Sequence, residues 1–208
     1  MSMPTVVSAE EWQKERDALL AEEKEATRRL DAIAAQRRRL PMVRFDNDKY
    51  VFETPDGPKR LLDFFEGHPQ LAVYQFMDNG PDAFCPGCTF FTKSIATLTE
   101  LAKNGVAWRT VSNMPLAQMT SYWERQGWTV PYGSSHGSSF AADCGVDGGF
   151  MLNLFFTDGT DVYRTYSTTA RGVDRVLFAN NILDLAAYGR QEEWEDSPEG
   201  WPQFPTYG

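Results

Sequence analysis

The sequence predicts an α/β fold with a central mixed sheet flanked by helices. An apolar run at residues 71–77 indicates a buried strand. A helical pattern follows it, with Ile95, Leu98, Leu101 and Ala102 on one face. A second strand at 106–111 and a helix at 115–126 continue this alternation, which is typical of parallel strands with right-handed crossovers. Residues 150–156 and 161–166 flank an Asp-Gly turn and therefore predict an antiparallel hairpin. Parallel and antiparallel strands are thus expected in one sheet.

Smaller elements are expected on either side of this core. Strand-like pieces at 42–45 and 50–52, followed by a turn at 54–58, predict an N-terminal β extension. Residues 61–65 indicate a short helical turn before the first core strand. After the hairpin, residues 173–188 predict a last helix, which is broken or irregular near its two asparagines.

The N-terminal part of the chain predicts a long helix. Ser8 and Glu11 have the spacing of a capping box, and neither Gly nor Pro occurs from there to Arg39. Its apolar residues recur every seven positions and form a narrow seam, at Trp12, Leu19, Ala26, Ile33 and Leu40. Because such a helix needs a partner surface, we expect it to pack along its own domain or across a second subunit as a dimerisation arm.

Three regions follow from these patterns. Residues 1–41 form an N-terminal helical arm, residues 42–190 form the core domain, and residues 191–208 form an acidic tail. The tail contains several aromatic residues among prolines, namely Trp194, Trp201, Phe204 and Tyr207. We therefore expect the tail to pack on its own domain or on a neighbour.

The junction between the first core strand and the following helix contains Cys85-Pro86-Gly87-Cys88. A cysteine at a helix N-terminus lies near unpaired amides and the positive end of the helix dipole, which lowers its pKa from about 8.5 to roughly 3.5–7.5. Pro86 suits the first helical turn and Gly87 keeps the turn uncrowded. We therefore predict a redox-active dithiol, with Cys85 as the attacking thiol and Cys88, one turn later, as the resolving thiol.

Other interpretations of these cysteines remain open. The pair is also compatible with half of a zinc site or with two inert core thiols. Cys144 and His136 would complete a Cys3His set, although their spacing matches no known zinc ribbon or finger, so no metal is predicted. Cys144 by itself is expected to be a buried small apolar residue, with a backup resolving thiol as the alternative.

Two further residues are candidates for supporting the dithiol. Thr168 and Arg171 follow the second hairpin strand, at an end of the sheet that approaches the dithiol in this kind of fold. Arg171 beside Cys85 would stabilise a thiolate electrostatically. The favoured alternative is an ion pair between Arg171 and Asp174, or a helix cap.

Composition excludes several classes of protein. The net charge is −9 and the main basic run is Arg37-Arg38-Arg39, which argues against a nucleic-acid partner. No apolar run approaches the ~20 residues of a membrane span, and the N-terminus has no signal-peptide core. The odd count of three cysteines argues against a disulfide-stapled secreted scaffold, so a cytoplasmic location is expected. No dinucleotide fingerprint occurs, so no cofactor is expected.

A family resemblance extends over roughly residues 10–190. The segments 70–77, 111–116, 127–131 and 163–172, together with the Cys-Pro-Gly-Cys motif, resemble the thioredoxin-like proteins grouped as domain-of-unknown-function family 899. The resemblance implies a thioredoxin-like fold and a dithiol–disulfide oxidoreductase, but no particular substrate. Only Cys85 and Cys88 are carried over from it as site residues.

One departure from ordinary thioredoxins affects the expected substrate. Thioredoxins have a cis-proline just before the third core strand, where it holds the substrate chain against the dithiol. Here that strand begins near Phe150 and follows Asp147-Gly148-Gly149, without a proline. Either Gly149 and its neighbours take this role, or the protein does not bind an extended peptide in the usual way.

Three functions are therefore considered from the sequence. The first is a dithiol–disulfide oxidoreductase acting on a disulfide-containing protein or a small thiol or disulfide. The second is a peroxide reductase, although the Pro-x-x-x-Thr-x-x-Cys arrangement of typical peroxiredoxins does not occur. The third is a non-catalytic binding or assembly module, supported by the long helix and the aromatic tail. A homo-oligomer formed through the N-terminal helix is expected with each.

Overall fold

A computed structural model of the chain describes residues 3–95, 97–146 and 148–206. Asp147 and Tyr207, both named above, lie outside the described residues. The chain divides into two compact units. The larger unit is Met42–Ile182, and the smaller one combines the N-terminal segment up to Pro41 with Leu183–Thr206.

Eight strands form one mixed sheet within the part of the chain that the structure describes. They are β1 (Val43–Phe45), β2 (Val51–Thr54), β3 (Gly57–Arg60), β4 (Gln70–Phe76), β5 (Val106–Ser112), β6 (Tyr132–Ser134), β7 (Met151–Thr157) and β8 (Val162–Thr168). The α-helices are α1 (Ala9–Arg37), α2 (Pro86–Lys93), α3 (Thr99–Lys103), α4 (Leu116–Gln126), α5 (Phe140–Asp143) and α6 (Phe178–Leu183). Short 3-10 helices cover Asn47–Lys49, Leu62–Phe65 and Ala170–Val176.

The strand order is β1-β8-β7-β4-β5-β6-β2-β3, with β4 near the centre. β4 is parallel to β5 and antiparallel to β7, and β8 is antiparallel to β7. The helix α2 lies in the connection from β4 to the parallel strand β5. This arrangement of strands and helix is the thioredoxin fold, as predicted. The β extension is confirmed as well, since β1 adds to β8 and the β2–β3 hairpin joins the other edge through β6.

A separate hydrophobic core packs against each face of the sheet, because alternate residues of β4 point to opposite sides. Leu71 and Val73 lie in one cluster, with the aromatic rings of the β extension and Phe140 of α5. Tyr74 and Phe76 lie in the other, with α2 and α4. The dithiol thus belongs to the second core.

The helix predicted after the dithiol is shorter than expected. The sequence suggested one apolar helical face from Ile95 to Ala102, but α2 ends at Lys93 and α3 begins at Thr99. Ser94 Oγ donates back to the Phe90 carbonyl at 2.8 Å, and Thr97 Oγ1 accepts from the backbone N–H of Thr99 at 3.2 Å. Such side-chain bonds compete with the helical ladder and explain the break.

The last predicted helix, 173–188, is also wrong in length. The structure has the 3-10 helix Ala170–Val176, then Leu177 in an extended conformation, then α6. Asn181 Nδ2 donates to the Leu177 carbonyl at 2.6 Å. Asparagine offers the backbone local partners outside an α-helix, which accounts for the irregularity.

The smaller unit contains the predicted N-terminal helix and the tail. The capping box of α1 is present, since Ser8 Oγ accepts from the Glu11 N–H and the Glu11 carboxylate accepts from the Ser8 N–H. No residue of α1 is buried. Glu192 and Phe204 form a β-bridge, so the tail folds back on itself. Trp201 also packs edge to face on Tyr188, just before the tail, with ring centroids 4.8 Å apart. None of the helices in the described ranges is long and apolar enough to cross a membrane.

Replacement of Phe140 tests the core that joins the β extension to the sheet. Phe140 is fully buried and contacts the ring of Phe52 edge to face at 5.0 Å. We expect Phe140→Ala to lower the free energy of unfolding by about 3–5 kcal/mol. Phe178→Ala is the matched control, because Phe178 is 74% exposed and its loss should change stability by less than ~0.5 kcal/mol. Equal effects in urea denaturation would contradict this assignment of the core.

Candidate active site

The Cys-Pro-Gly-Cys turn lies at the N-terminus of α2, directly after the buried strand β4. Cys85 is the N-cap residue, with extended backbone angles, and Pro86 occupies the first helical turn. The Sγ atom of Cys85 accepts a hydrogen bond from the backbone N–H of Cys88 at 3.3 Å. A sulfur thus takes the position that a serine or aspartate oxygen fills at an ordinary N-cap, and it lies at the positive end of the helix.

Cys88 lies one turn further along and is held from the side of the sheet. The backbone N–H of Met77 points to Cys88 Sγ at 3.4 Å. The side chain of Tyr74, which is 1% exposed, also forms a hydrogen bond to Cys88. Sequence reasoning did not identify Tyr74, although the alternation Ala72, Tyr74, Phe76 places it on the face that α2 covers.

The two thiols have opposite pKa shifts. A hydrogen bond from the Cys88 side chain lowers the pKa of Cys85 to about 6, helped by the N–H groups of Cys88 and Gly87 and opposed by burial. The hydrogen bond to Cys85, together with burial, raises the pKa of Cys88. The proton is therefore held by Cys88, and near neutral pH Cys85 is largely the thiolate.

Accessibility separates the same two residues. Cys85 is 8% exposed, whereas Cys88 is fully buried. A substrate sulfur therefore meets Cys85 first. Both cysteines are buried, but Cys85 lies nearer the surface than Cys88. A thiolate with a protonated thiol behind it suits attack followed by internal resolution.

A chain of side-chain contacts fixes the backbone of Cys85 to α4. Thr89 Oγ1 donates to the Cys85 carbonyl at 2.8 Å, so its own lone pair accepts from the hydroxyl of Tyr122 at 2.7 Å. The ring of Phe84 stacks on Tyr122 with centroids 3.6 Å apart. The guanidinium of Arg125 lies 5.0 Å from the centroid of Phe84 and 5.1 Å from that of Tyr122. No pattern in the sequence indicated this support, because it depends on how α4 packs.

The supporting residues proposed from sequence have other partners. Arg171 pairs with Asp174 at 3.5 Å and is not among the groups that shift the pKa of Cys85. Thr168 ends β8 opposite Leu152, and its Oγ1 lies only 2.0 Å from where a Cβ on Gly172 would stand. Thr168 therefore packs closely against the Gly172 backbone.

Cys144 and His136 lie in different surroundings from the dithiol. Cys144 is buried in the core on the opposite face of the sheet, and burial raises its pKa to about 12. His136 is exposed, and its Nδ1 lies 2.9 Å from the Asn113 carbonyl. Among the described residues, no group of three or more Cys, His, Asp or Glu side chains could hold a metal ion.

The loop before β7 differs from that of thioredoxins because it contains no proline. Gly148, Gly149 and Phe150 precede the strand, and no cis peptide bond occurs in the described ranges. A narrow crevice next to the dithiol, termed the CPGC crevice, is lined by Tyr74, Gly87, Phe91, Phe150, Val173 and Leu177. Aromatic and aliphatic side chains therefore adjoin the dithiol.

The whole chain belongs to a known protein family. Residues 1–207 match the family described as "Bacterial protein of unknown function (DUF899)". It is the same family that the sequence motifs resemble. The search of curated proteins gave no match.

Several solved structures share part of the architecture at low sequence identity. A hypothetical protein from Sinorhizobium meliloti 1021 is 16% identical, with a TM-score of 0.48 over 62% of this chain and 70% of that one. A cysteine-to-serine mutant of PrxQ from Xylella fastidiosa is 14% identical, with a TM-score of 0.46 over 68% and 94%. A secreted Mycobacterium tuberculosis disulfide oxidoreductase is 14% identical, with a TM-score of 0.40 over 62% and 91%.

Removing the Cys88 thiol tests the origin of the Cys85 pKa. In the wild type, the rate of Cys85 alkylation by iodoacetamide should be half-maximal near pH 6 and fall as the pH drops below that value. In Cys88→Ala, loss of the largest stabilising contact raises the pKa of Cys85, so the midpoint moves to higher pH. Cys144→Ala, on the other face of the sheet, should leave it unchanged. An unshifted midpoint in Cys88→Ala would assign the low pKa to the helix N–H groups alone.

Proposed function

We propose that this protein is a dithiol–disulfide oxidoreductase, with Cys85 as the nucleophile and Cys88 as the resolving thiol. The observation that carries the proposal is the position of Cys85 Sγ at the N-cap of α2, where it accepts the backbone N–H of Cys88, with the Cys88 side chain fully buried behind it. The lowered pKa of Cys85 and the raised pKa of Cys88 agree with this geometry. We expect the reaction to take place in the cytoplasm, where cellular reductants keep such a pair reduced.

In the first step, the Cys85 thiolate attacks one sulfur of a disulfide R–S–S–R′. The S–S bond breaks, one thiolate leaves, and a mixed disulfide forms on Cys85. The N–H of Cys88, which points to Cys85 Sγ, stabilises the negative charge on that sulfur before the attack.

In the second step, Cys88 loses its proton and attacks Cys85 Sγ. The second substrate thiol leaves and takes up a proton. The dithiol has thereby given two electrons to the substrate and become the Cys85–Cys88 disulfide. Once Cys85 carries the substrate, its thiolate no longer opposes ionisation of Cys88, and the contacts from the Met77 N–H and Tyr74 favour the new thiolate. Reduction of the protein disulfide by a thiol reductant closes the cycle.

Serine substitutions separate the two roles. We expect Cys85→Ser to lower disulfide turnover by more than about a hundredfold, because it removes the nucleophile. Cys88→Ser should instead accumulate a mixed disulfide on Cys85, detected by mass spectrometry of the intact protein. Cys144→Ser is the control and should retain wild-type turnover.

A redox titration with alkylation of each cysteine completes this test. A single two-electron transition confined to Cys85 and Cys88 would support the proposal. Rapid peroxide consumption, with a sulfenic acid on Cys85, would favour the peroxide reductase instead. No disulfide turnover, no peroxide consumption and no redox transition at Cys85 and Cys88 would overturn both enzymatic assignments and leave the binding module.

The N-terminal helix supports a second part of the proposal, a homo-oligomer. Every residue of α1 is at least partly exposed, and its apolar seam includes Trp12 at 57% and Leu19 at 52% exposure. A helix of 29 residues with an uncovered apolar seam is stabilised by packing against a partner. A second copy of the chain is the partner that this proposal names.

Charges placed in the seam test the oligomer. We expect Trp12→Glu combined with Leu19→Glu to weaken self-association by more than about tenfold, measured by sedimentation equilibrium. Ala21→Glu is the control, since Ala21 is exposed and lies off the seam. A monomeric wild type, or a mass that the seam variant does not change, would rule out the arm.

A further inference from the structure

Tyr74 lies beside the buried thiol of the dithiol, on a central strand of the sheet. Its strand β4 is paired on both sides, with Tyr74 opposite Thr110 of β5 and Leu152 of β7. The side chain is 1% exposed and forms a hydrogen bond to Cys88. A buried tyrosine hydroxyl needs a hydrogen-bond partner, and here that partner is a sulfur atom that reacts.

The stack between Tyr74 and Phe91 holds this hydroxyl in place. The two rings are nearly parallel, with centroids 3.9 Å apart and an angle of 4° between them. Phe91 follows Cys88 by three residues in α2, so their side chains are neighbours on one face of the helix. The ring of Trp108 also stacks on Phe91, with centroids 6.3 Å apart. Ring packing between strand and helix therefore sets the position of the Tyr74 hydroxyl.

The second step of the proposed reaction requires negative charge on a buried sulfur. Cys88 is fully buried, so water does not surround its Sγ and stabilise a thiolate. The hydrogen bond shared with Cys85, together with burial, raises the pKa of Cys88, whereas the Tyr74 side chain and the Met77 N–H lower it. Once Cys85 is bonded to the substrate, the first of these causes is lost. The donors to Cys88 then act against burial and determine how much thiolate is available.

Tyr74 acts on only one of the two sulfurs. The Cys88 side chain and the N–H groups of Cys88 and Gly87 lower the pKa of Cys85, and Tyr74 is not among the groups that shift it. A hydrogen bond to a charged acceptor is stronger than one between neutral groups, so the contact from Tyr74 strengthens when Cys88 ionises. An interaction that strengthens as charge develops accelerates the step in which the charge appears.

We propose that Tyr74 is a catalytic residue for resolution of the mixed disulfide, because its buried hydroxyl donates a hydrogen bond to the attacking Cys88 thiolate. This role rests on the proposed function. Cys88 gives its proton to solvent, and its sulfur uses the remaining electron pair to form the bond to Cys85 Sγ. The bond between Cys85 and the substrate sulfur breaks, and the substrate thiolate leaves and takes up a proton. Tyr74 keeps its own proton throughout.

Removal of the hydroxyl alone tests the contact without turnover. In the full chain carrying Cys85→Ala, the ionisation of Cys88 is followed by the NMR chemical shift of its isotope-labelled β-carbon. Tyr74→Phe keeps the ring and should move the midpoint to higher pH by about one unit, which is a tenfold lower ionisation constant. Tyr132→Phe is the matched control, because Tyr132 packs against the same core and donates to Thr120 Oγ1 at 3.0 Å. It should leave the midpoint unchanged.

The two steps are then measured separately on protein with intact cysteines. The probe is dithiobis(nitrobenzoate), which releases one coloured thiolate at each step. Tyr74→Phe should release the first thiolate within about twofold of the wild-type rate. The second release should be at least about tenfold slower at each pH, so the variant reaches the wild-type rate about one pH unit higher. Tyr132→Phe should match the wild type in both phases.

The outcomes separate this role from the proposed function. A second phase as fast as in the wild type, equal slowing of both phases, or an unmoved Cys88 midpoint would each overturn the role of Tyr74 and leave the oxidoreductase intact. A wild type that keeps the mixed disulfide and releases no second thiolate would reject the oxidoreductase, and resolution by Tyr74 with it. Circular dichroism checks that Tyr74→Phe is folded, and the ratio of the two rates in one sample does not depend on the fraction of active protein.

Discussion

The packing of α2 on the buried face of β4 is the constraint on which the site depends. Tyr74 of β4 stacks on Phe91 of α2 with ring centroids 3.9 Å apart and an angle of 4° between the rings. The same tyrosine forms a hydrogen bond to Cys88. Tyr74 thus packs against α2 and also contacts the buried thiol. The position of α2 on the sheet therefore determines which polar groups surround Cys85.

The asymmetry between the two thiols arises from this geometry. Cys85 caps the N-terminus of α2, whereas Cys88 lies in the first turn, on the side that contacts the end of β4. Cys85 Sγ therefore accepts the backbone N–H of Cys88 at the helix N-terminus, whereas Cys88 Sγ accepts the backbone N–H of Met77 at the end of β4. The hydrogen bond that the two side chains share lowers the pKa of Cys85 and raises the pKa of Cys88, and burial opposes ionisation of both sulfurs.

The surroundings of the dithiol also bear on what it acts on. In this chain the loop before β7 provides Gly148, Gly149 and Phe150, and the neighbouring surface is aromatic and aliphatic. The shortened last helix leaves Val176 and Phe178 exposed beside the sheet. The side chains that line the crevice beside the dithiol are therefore aromatic or aliphatic.

Local sequence signals predicted a large part of the fold. The apolar run of β4, the Asp-Gly hairpin and the capping box at Ser8 each depend on contacts within a few residues, and each is present. The break after Lys93 and the early end of the last helix were missed. At those points, polar side chains bonded to nearby backbone outweigh a helical apolar pattern.

The sequence by itself determined the position of the Cys-Pro-Gly-Cys motif at a strand–helix junction, because strand, proline and helix signals are all local. Only the tertiary structure decided which thiol is buried, that Cys144 lies across the sheet, and that Tyr74 and Tyr122 support the dithiol. These relations join residues from 11 to more than 30 positions apart. They depend on the pairing of strands and the packing of helices, which no local pattern encodes.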